Sequence, residues 1–482
     1  MTQIDYTGHP LLDVGLATLT AFARKRHPRE LTESDLRKAA EYMEKHYIAK
    51  PLRSFLTVVF PNSGYTQPAF EKQPEKQKIY AQRVLFSFDS FPSPETDPFL
   101  GCPAAAVPYD AYDVKSKLPL GRAFRQHVPL LTGEGVINFH AYGDAGIPLS
   151  GLSMLAFQAL PLGCAKVGAR LLAVYSDDPH LLLHFARTFL ETNKQNVQIA
   201  QTADNDELPD TSPRRPRTLL IEHLLAAEKA RLEKGQEASP ATVTAYYFSN
   251  YGKAAEIRIF PLPLEVSAFL GSVQSPKYIH LWEKLVKRGW QITQQGGEAR
   301  YNRLYEDLFT LPDAAPSFIR CYFLRRPGRA WDRSDPTPGY DTRREGDLIS
   351  WPLTELFLRK VVRMDERRIQ YIQQLGESLA TYVVERNDRG FFNTFWMARN
   401  YGEVRAALIR ASQAEVRHGR PPLVNLDQFL AIFEQAEGIP SADWHLGRDL
   451  VLIHLLDQLY QRGWLQAHAA ELPETEEVTE ET

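Results

Sequence analysis

Residues 54–70, SFLTVVFPNSGYTQPAF, set the reading of the N-terminal half. After Ser54, the next six are aromatic, aliphatic and β-branched side chains of the kind that fill a buried strand. The run then empties into Asn62, Ser63, Gly64, Tyr65, Thr66 and Gln67 and stops at Pro68. A plain turn uses Asn and Gly for their backbone freedom, but it has no need of a Tyr and a Gln as well. Such side chains suit a loop that hydrogen-bonds and stacks on something, and loops carried by rigid scaffolds are where function concentrates. The alternative is a structural turn whose amides satisfy neighbouring backbone.

Working outward, residues 10–48 read as helices. Leu11, Leu12, Val14, Leu16 and Leu19 form an apolar face, and Thr32 to Asp35 supply a start signal for a second helix over 36–47. A second strand is expected at 83–88, then a Pro-rich irregular stretch over 91–119. Helices are predicted at 149–160 and 180–191, bracketing a strand at 169–175. Asp177-Asp178-Pro179 reads as a helix cap. Residues 202–217 are polar and Pro-punctuated, an exposed loop. Strands at 242–248 and 256–260 flank a hairpin signal around Asn250 and Gly252.

After a second breaker-rich segment the strand signal disappears. Helical periodicity runs from Trp351 to Trp464, interrupted near 386–390, 418–422 and 438–441, which gives about four helices; short connections favour an antiparallel bundle. The expected fold is α+β: a large mixed N-terminal domain (1–324), a basic linker (325–346), a C-terminal antiparallel helical bundle (347–467) and an acidic, disordered tail (468–482).

A chain of 482 residues exceeds one core, and 44% hydrophobic with 24% charged residues describes an ordinary globular composition. No apolar run is long enough to span a bilayer, so no membrane partner is expected. The first residues lack the basic and apolar regions of a signal peptide. Three isolated cysteines argue for a reducing compartment. The expected location is the cytoplasm.

The net charge of −3 hides a segregated pattern. Residues 319–344 carry seven arginines against three aspartates, and 357–420 carry twelve Arg or Lys against seven acids. The final fifteen residues, 468–482, hold six glutamates and no Lys or Arg. Such segregation is the footprint of a surface that meets phosphates, or else of a solvated helical surface. Arg359, Arg363 and Arg367 recur every four residues, which on one helix stacks them on one face and makes a phosphate-binding stripe. Arg325, Arg326 and Arg399 extend the candidate phosphate contacts. Phe391, Phe392, Phe395 and Trp396 read as bundle core.

Catalytic chemistry leaves little trace. There is no nucleotide-binding Gly-x-x-x-x-Gly-Lys-Ser/Thr, no His-Glu-x-x-His and no Gly-x-Ser-x-Gly. Cys102, Cys164 and Cys321 have no Cys-x-x-Cys partner, and His180 and His184, one helical turn apart, lack a completing ligand. No catalytic residue, metal or cofactor is assigned.

Four stretches in order, YTGHPLLDVGLATLTAF (6–22), FPNSGYTQPAF (60–70), VINFHAYGDAGIPLSG (136–151) and LPLGCAKVGARLLAVYSDDP (160–179), resemble the large subunit of type I CRISPR Cascade complexes, in the type I-B branch. The resemblance implies a non-enzymatic subunit of a crRNA-guided complex that reads the protospacer-adjacent motif (PAM) on duplex DNA and helps open it. Its implied partners are crRNA, target double-stranded DNA, the backbone, handle-capping and small subunits, and a recruited helicase–nuclease. It places Asn62, Ser63, Gly64, Tyr65 and Gln67 near the PAM, and it implies a bundle resembling the small subunit, with an internal translation start near Met364. One departure stands out. The branch often carries Cys-x-x-Cys pairs where this chain reads GCPAAA (101–106) and LSGLSM (149–154), leaving Cys102 alone. Two other readings remain: the same subunit in a transposon-encoded Cascade with a transposition factor as partner, and a metabolic enzyme with a dispersed active site.

Overall fold

The computed structural model describes residues 4–111, 118–131, 145–236, 240–250, 255–290, 299–324, 348–436 and 439–468. The chain divides into two compact units, Met1–Ala230 with Ala241–Leu262, and Arg231–Pro240 with Pro263–Thr482.

The first unit is built on a nearly all-apolar helix, α1 (Pro10–Phe22), with residues from Leu11 to Ala21 buried. Its start is pinned by the His9 ring, whose Nδ1 accepts the Leu12 N–H at 3.2 Å, and by the Asp13 carboxylate, which accepts from the Thr7 and Gly8 backbone at 2.8 Å. Helix α2 (Glu33–Tyr47) begins at a Thr32–Asp35 capping box, as its sequence predicts.

The expected strand at 54–60 is instead α3 (Lys50–Thr57) and the turn after it. The buried residues are Leu52, Phe55, Leu56 and Val59, spaced i, i+3, i+4 and i+7, and Pro51 lies in the first turn. Starting the window at Ser54 cuts off Leu52 and leaves a run that looks like a strand. The strand expected at 83–88 is likewise the end of α4 (Pro74–Leu85), whose Tyr80, Ala81, Val84 and Leu85 are buried at helical spacing.

The Pro-rich stretch contains a small antiparallel pair, β1 (Pro92–Thr96) and β2 (Pro103–Ala105), and a second pair joins β3 (Arg122–Ala123) to β4 (Ile147–Pro148). Helix α5 (Gly151–Ala159) crosses α1 closely: a Cβ on Gly15 would lie 2.1 Å from the Ala156 carbonyl oxygen, so only glycine fits. The main sheet is antiparallel, in the order β5 (Ala165–Val167), β6 (Arg170–Ser176), β7 (Val243–Ser249), β8 (Glu256–Leu262). Its register runs from Leu171↔Phe248 to Ser176↔Val243, and β7 and β8 form the expected hairpin. Between β6 and β7 lie α6 (Pro179–Thr202), capped by Asp178 as predicted, and α7 (Pro216–Glu233).

The second unit is helical. It opens with α8 (Leu264–Val273), α9 (Ile279–Gly289), α10 (Arg303–Asp307) and α11 (Ala315–Phe318), all within the region assigned from sequence to the mixed domain. They belong here because Phe357, at the end of α12 (Trp351–Phe357), packs among Phe269, Phe318 and Phe323 at ring distances of 5.4, 5.2 and 5.0 Å. The compact units therefore divide at Leu262/Pro263, while the linker expected at 325–346 lies outside the described residues.

Five further helices follow: α13 (Glu366–Arg386), α14 (Arg389–Met397), α15 (Tyr401–Arg417), α16 (Leu426–Phe433) and α17 (Trp444–Gln461), with α18 (Trp464–Ala467) a last short turn. A two-stranded hairpin, β9 (Glu434–Ala436) with β10 (Ile439–Pro440), precedes α17. Helices adjacent in sequence reverse direction, as short connections require. The long helices α13 and α17 nevertheless run parallel: Arg368 pairs with Asp443 at their starts, and Glu377 and Thr381 meet Arg462 further along. Phe391, Phe392, Phe395 and Trp396 are bundle core. Among the described residues, no helix is long and apolar enough to cross a membrane.

Candidate nucleic-acid interface

The residues of the 60–70 loop do come together, but mostly inward. The Phe60 carbonyl accepts the Thr66 hydroxyl at 2.9 Å, and the Ser63 carbonyl accepts the Gln67 N–H at 2.9 Å, closing the loop on itself. Asn62 takes the left-handed conformation (φ 59°) that this tight turn demands. Gly64 lies against Tyr80, where an added Cβ would sit 2.2 Å from the ring. Tyr65 is fully buried between Tyr47 and Tyr80 in two edge-on contacts at 5.5 and 4.9 Å. Its hydroxyl has no hydrogen-bond partner among the described residues, and burial pushes its pKa well up. Ser63, Gly64 and Tyr65 are therefore core residues here, out of reach of a base edge. Of the five residues expected at the PAM, Asn62 is exposed and Gln67 half-buried.

The loop is also anchored from below. Asn250, at the end of β7, donates its backbone N–H to the Val58 carbonyl at 2.8 Å and its side-chain amide to Val59 at 2.9 Å. The asparagine read as a hairpin residue is thus a fully buried clamp on the end of α3.

The arginine stripe does not exist as one helical face. After Phe357 the chain makes a π-helical turn (Leu358–Val362) and breaks at Arg363, which is left-handed (φ 54°). Arg359 lies before the break and Arg367 after it, in the first turn of α13. Arg359 is held by Glu355 and Glu366 at 2.7 and 2.6 Å, and Arg363 by Glu265 at 2.8 Å. Arg367 donates to the Tyr371 hydroxyl at 2.9 Å and covers its ring. Arg399 is exposed just before α15, where its backbone N–H bonds Glu403 at 2.7 Å. Arg325 and Arg326 lie outside the described residues.

A different set of cations is less neutralised. Arg405, Arg410 and Arg417 project from α15, all exposed, and none makes an ion pair with a described carboxylate. The one acid on the inner side of this helix, buried Glu415, is already taken by Arg386 and Arg420 at 3.0 and 3.3 Å. Arg410 and Arg417 lie two turns apart, about 10 Å along the axis, and so share a face. The composition of 357–420 signalled this excess, but spacing could not show which guanidiniums lack partners, because the neutralising acids come from other elements.

Beside these arginines, α15 and α16 enclose a groove of about 690 Å³. Ile409, Ser412 and Val416 face Leu426 and Phe429 across it, with Arg405 and Arg417 twelve residues apart along one wall. A second cavity, of about 300 Å³, lies beside Cys102 in the first unit. There the buried Asp97 carboxylate accepts from the Ser150 N–H and hydroxyl at 2.9 and 2.6 Å, and burial pushes the Cys102 thiol pKa up. No cluster of three or more His, Cys, Asp or Glu able to hold a metal occurs among the described residues.

No protein-family model, curated protein or solved structure matches the chain.

Proposed function

We propose that this chain is the large subunit of a crRNA-guided, type I-B-like Cascade complex that binds duplex DNA at a PAM and promotes strand separation. The order of the four sequence stretches supports the complex, and the observation that carries nucleic-acid contact is the set of exposed arginines on α15 that make no ion pair with a described carboxylate. Three exposed guanidiniums with no ion pair to a described carboxylate leave a surface whose natural counterion is phosphate. Arg359 and Arg363, each held by a carboxylate, contribute less, since phosphate would have to displace an existing partner. In this proposal Asn62 and Gln67 are what the 60–70 loop can offer to a base edge, each carrying a donor and an acceptor. The partners are crRNA, target DNA, the sister subunits, and a helicase–nuclease or a transposition factor.

The test is a salt titration of DNA binding. Replacing Arg405, Arg410 and Arg417 with Ala should weaken binding alike on all sequences and flatten the log–log salt slope by roughly one unit per lost phosphate contact. An unchanged slope would remove α15 from the interface.

A further inference from the structure

The groove between α15 and α16 exposes more apolar surface than a free helix pair needs. Ile409, Val416 and Leu426 are 46%, 54% and 60% exposed around it, and Arg405 and Arg417 stand along it without ion pairs among the described residues. Glu434, which lines the groove, accepts the Tyr401 hydroxyl, and buried Glu415 is held by Arg386 and Arg420. An occupant has to be apolar and acidic together.

We infer that residues 469–482 of this same chain, AAELPETEEVTEET, dock in that groove. Three observations favour this occupant over others. The first is complementarity: six glutamates with no basic residue, interrupted by Leu472 and Val478. Pro473 disfavours a helix. In an extended chain the even spacing puts Leu472 and Val478 on one side, about 20 Å apart. Arg405 and Arg417, twelve residues apart on a helix, are separated by about 18 Å. The second is the point of departure. The Trp464 indole donates to the Asn387 side chain at 3.2 Å, and the neighbouring Arg386 bonds Glu415 at 3.0 Å. The chain therefore leaves α18 at the end of the bundle where Val416 and Arg417 close the groove. The third is reach: fourteen residues extend up to about 46 Å, enough to run the groove's full length.

Docking would cover the three exposed aliphatic side chains and give Arg405 and Arg417 carboxylate partners in one step. It does not depend on the nucleic-acid reading. If both hold, tail and phosphate compete for the same guanidiniums.

The test uses full-length protein with the photoreactive residue p-benzoylphenylalanine introduced at Ile409, and separately at the exposed Val416. Light- and heavy-isotope chains are mixed before irradiation, and crosslinked peptides are read by mass spectrometry. The expected result is a crosslink from either position to a peptide within 469–482, light to light and heavy to heavy. The yield should fall severalfold at high salt and on changing all six tail glutamates to Gln. Light-to-heavy crosslinks at the statistical share of an equal mixture, one half, would assign the groove to a second copy and overturn the inference. Crosslinks that avoid 469–482, or a yield indifferent to the Glu→Gln changes, would overturn it too. DNA binding, measured separately, leaves this result untouched.

Discussion

Tyr65 shows how far a residue's role depends on what lies behind it. In sequence it is a loop aromatic beside Asn, Gly and Gln, equipped to stack on a base. In the fold it plugs the space between Tyr47 and Tyr80, and its hydroxyl is buried without a partner among the described residues. Truncation should therefore act through stability: Tyr65→Ala is expected to cost about 3–5 kcal/mol. Tyr65→Phe should be neutral or stabilise by about 1 kcal/mol, since it deletes only an unsatisfied polar atom. Denaturant midpoints check both, and a destabilised Tyr65→Phe protein would mean the hydroxyl has a partner. His127 makes a second prediction at this scale. Its Nδ1 accepts the Phe124 N–H at 3.1 Å while its Nε2 meets the Tyr109 carbonyl at 2.6 Å, an arrangement that needs the neutral ring. Burial pulls its pKa down from 6.5 to about 4. The folded-state value is depressed, so this stability is fully present above the unfolded value and is lost as pH falls from about 6.5 towards 4. The loss amounts to about 3 kcal/mol at the acid end of that window. NMR of the His127 ring should show no protonation on going from about pH 8 to about pH 5, a range in which an unperturbed histidine titrates.

At the scale of elements, much of the fold was legible in the sequence. The Thr32 capping box, the Asp178 cap, the strand at 170–176 and the β7–β8 hairpin declare themselves through local chemistry that acts within a few residues. The misreadings have a shared physical cause. Residues 54–60 and 83–88 are apolar runs at the ends of helices, and a run of that length carries no period of its own. Only Leu52 upstream, or Tyr80 and Ala81, reveals the helical spacing. The arginine stripe failed differently: its four-residue period is real, but the helix is interrupted at Arg363 by a left-handed turn. That turn permits a prediction. A non-glycine residue in this conformation costs about 1 kcal/mol, and the exposed Arg363–Glu265 pair returns at most as much. Arg363→Gly should leave thermal stability unchanged or raise it, with DNA affinity and its salt slope as in the wild type. A flattened slope would restore Arg363 as a phosphate contact. The α15 arginines were visible as composition only, because which described acids pair with which arginines is decided by the packed bundle.

For the whole molecule, the sequence conveyed an α+β chain ending in helices, and packing adds where its compact units divide. Breaker residues mark 325–346, whereas compactness follows the aromatic packing of Phe269, Phe318 and Phe323 onto Phe357. A product starting at Met364 would begin one residue before the Asp365 cap of α13, a clean helix start. It would also leave His454 of α17 without the Trp351 ring that packs on it at 5.0 Å. The central claim, that the chain works within an RNA-guided complex, is tested most directly by purifying the full-length protein from its native cells at low salt and analysing what accompanies it. The expected result is short, uniform RNA with repeat-derived ends and several sister proteins in fixed ratio, released together as salt is raised. A chain that emerges alone, free of RNA and indifferent to salt, would contradict it.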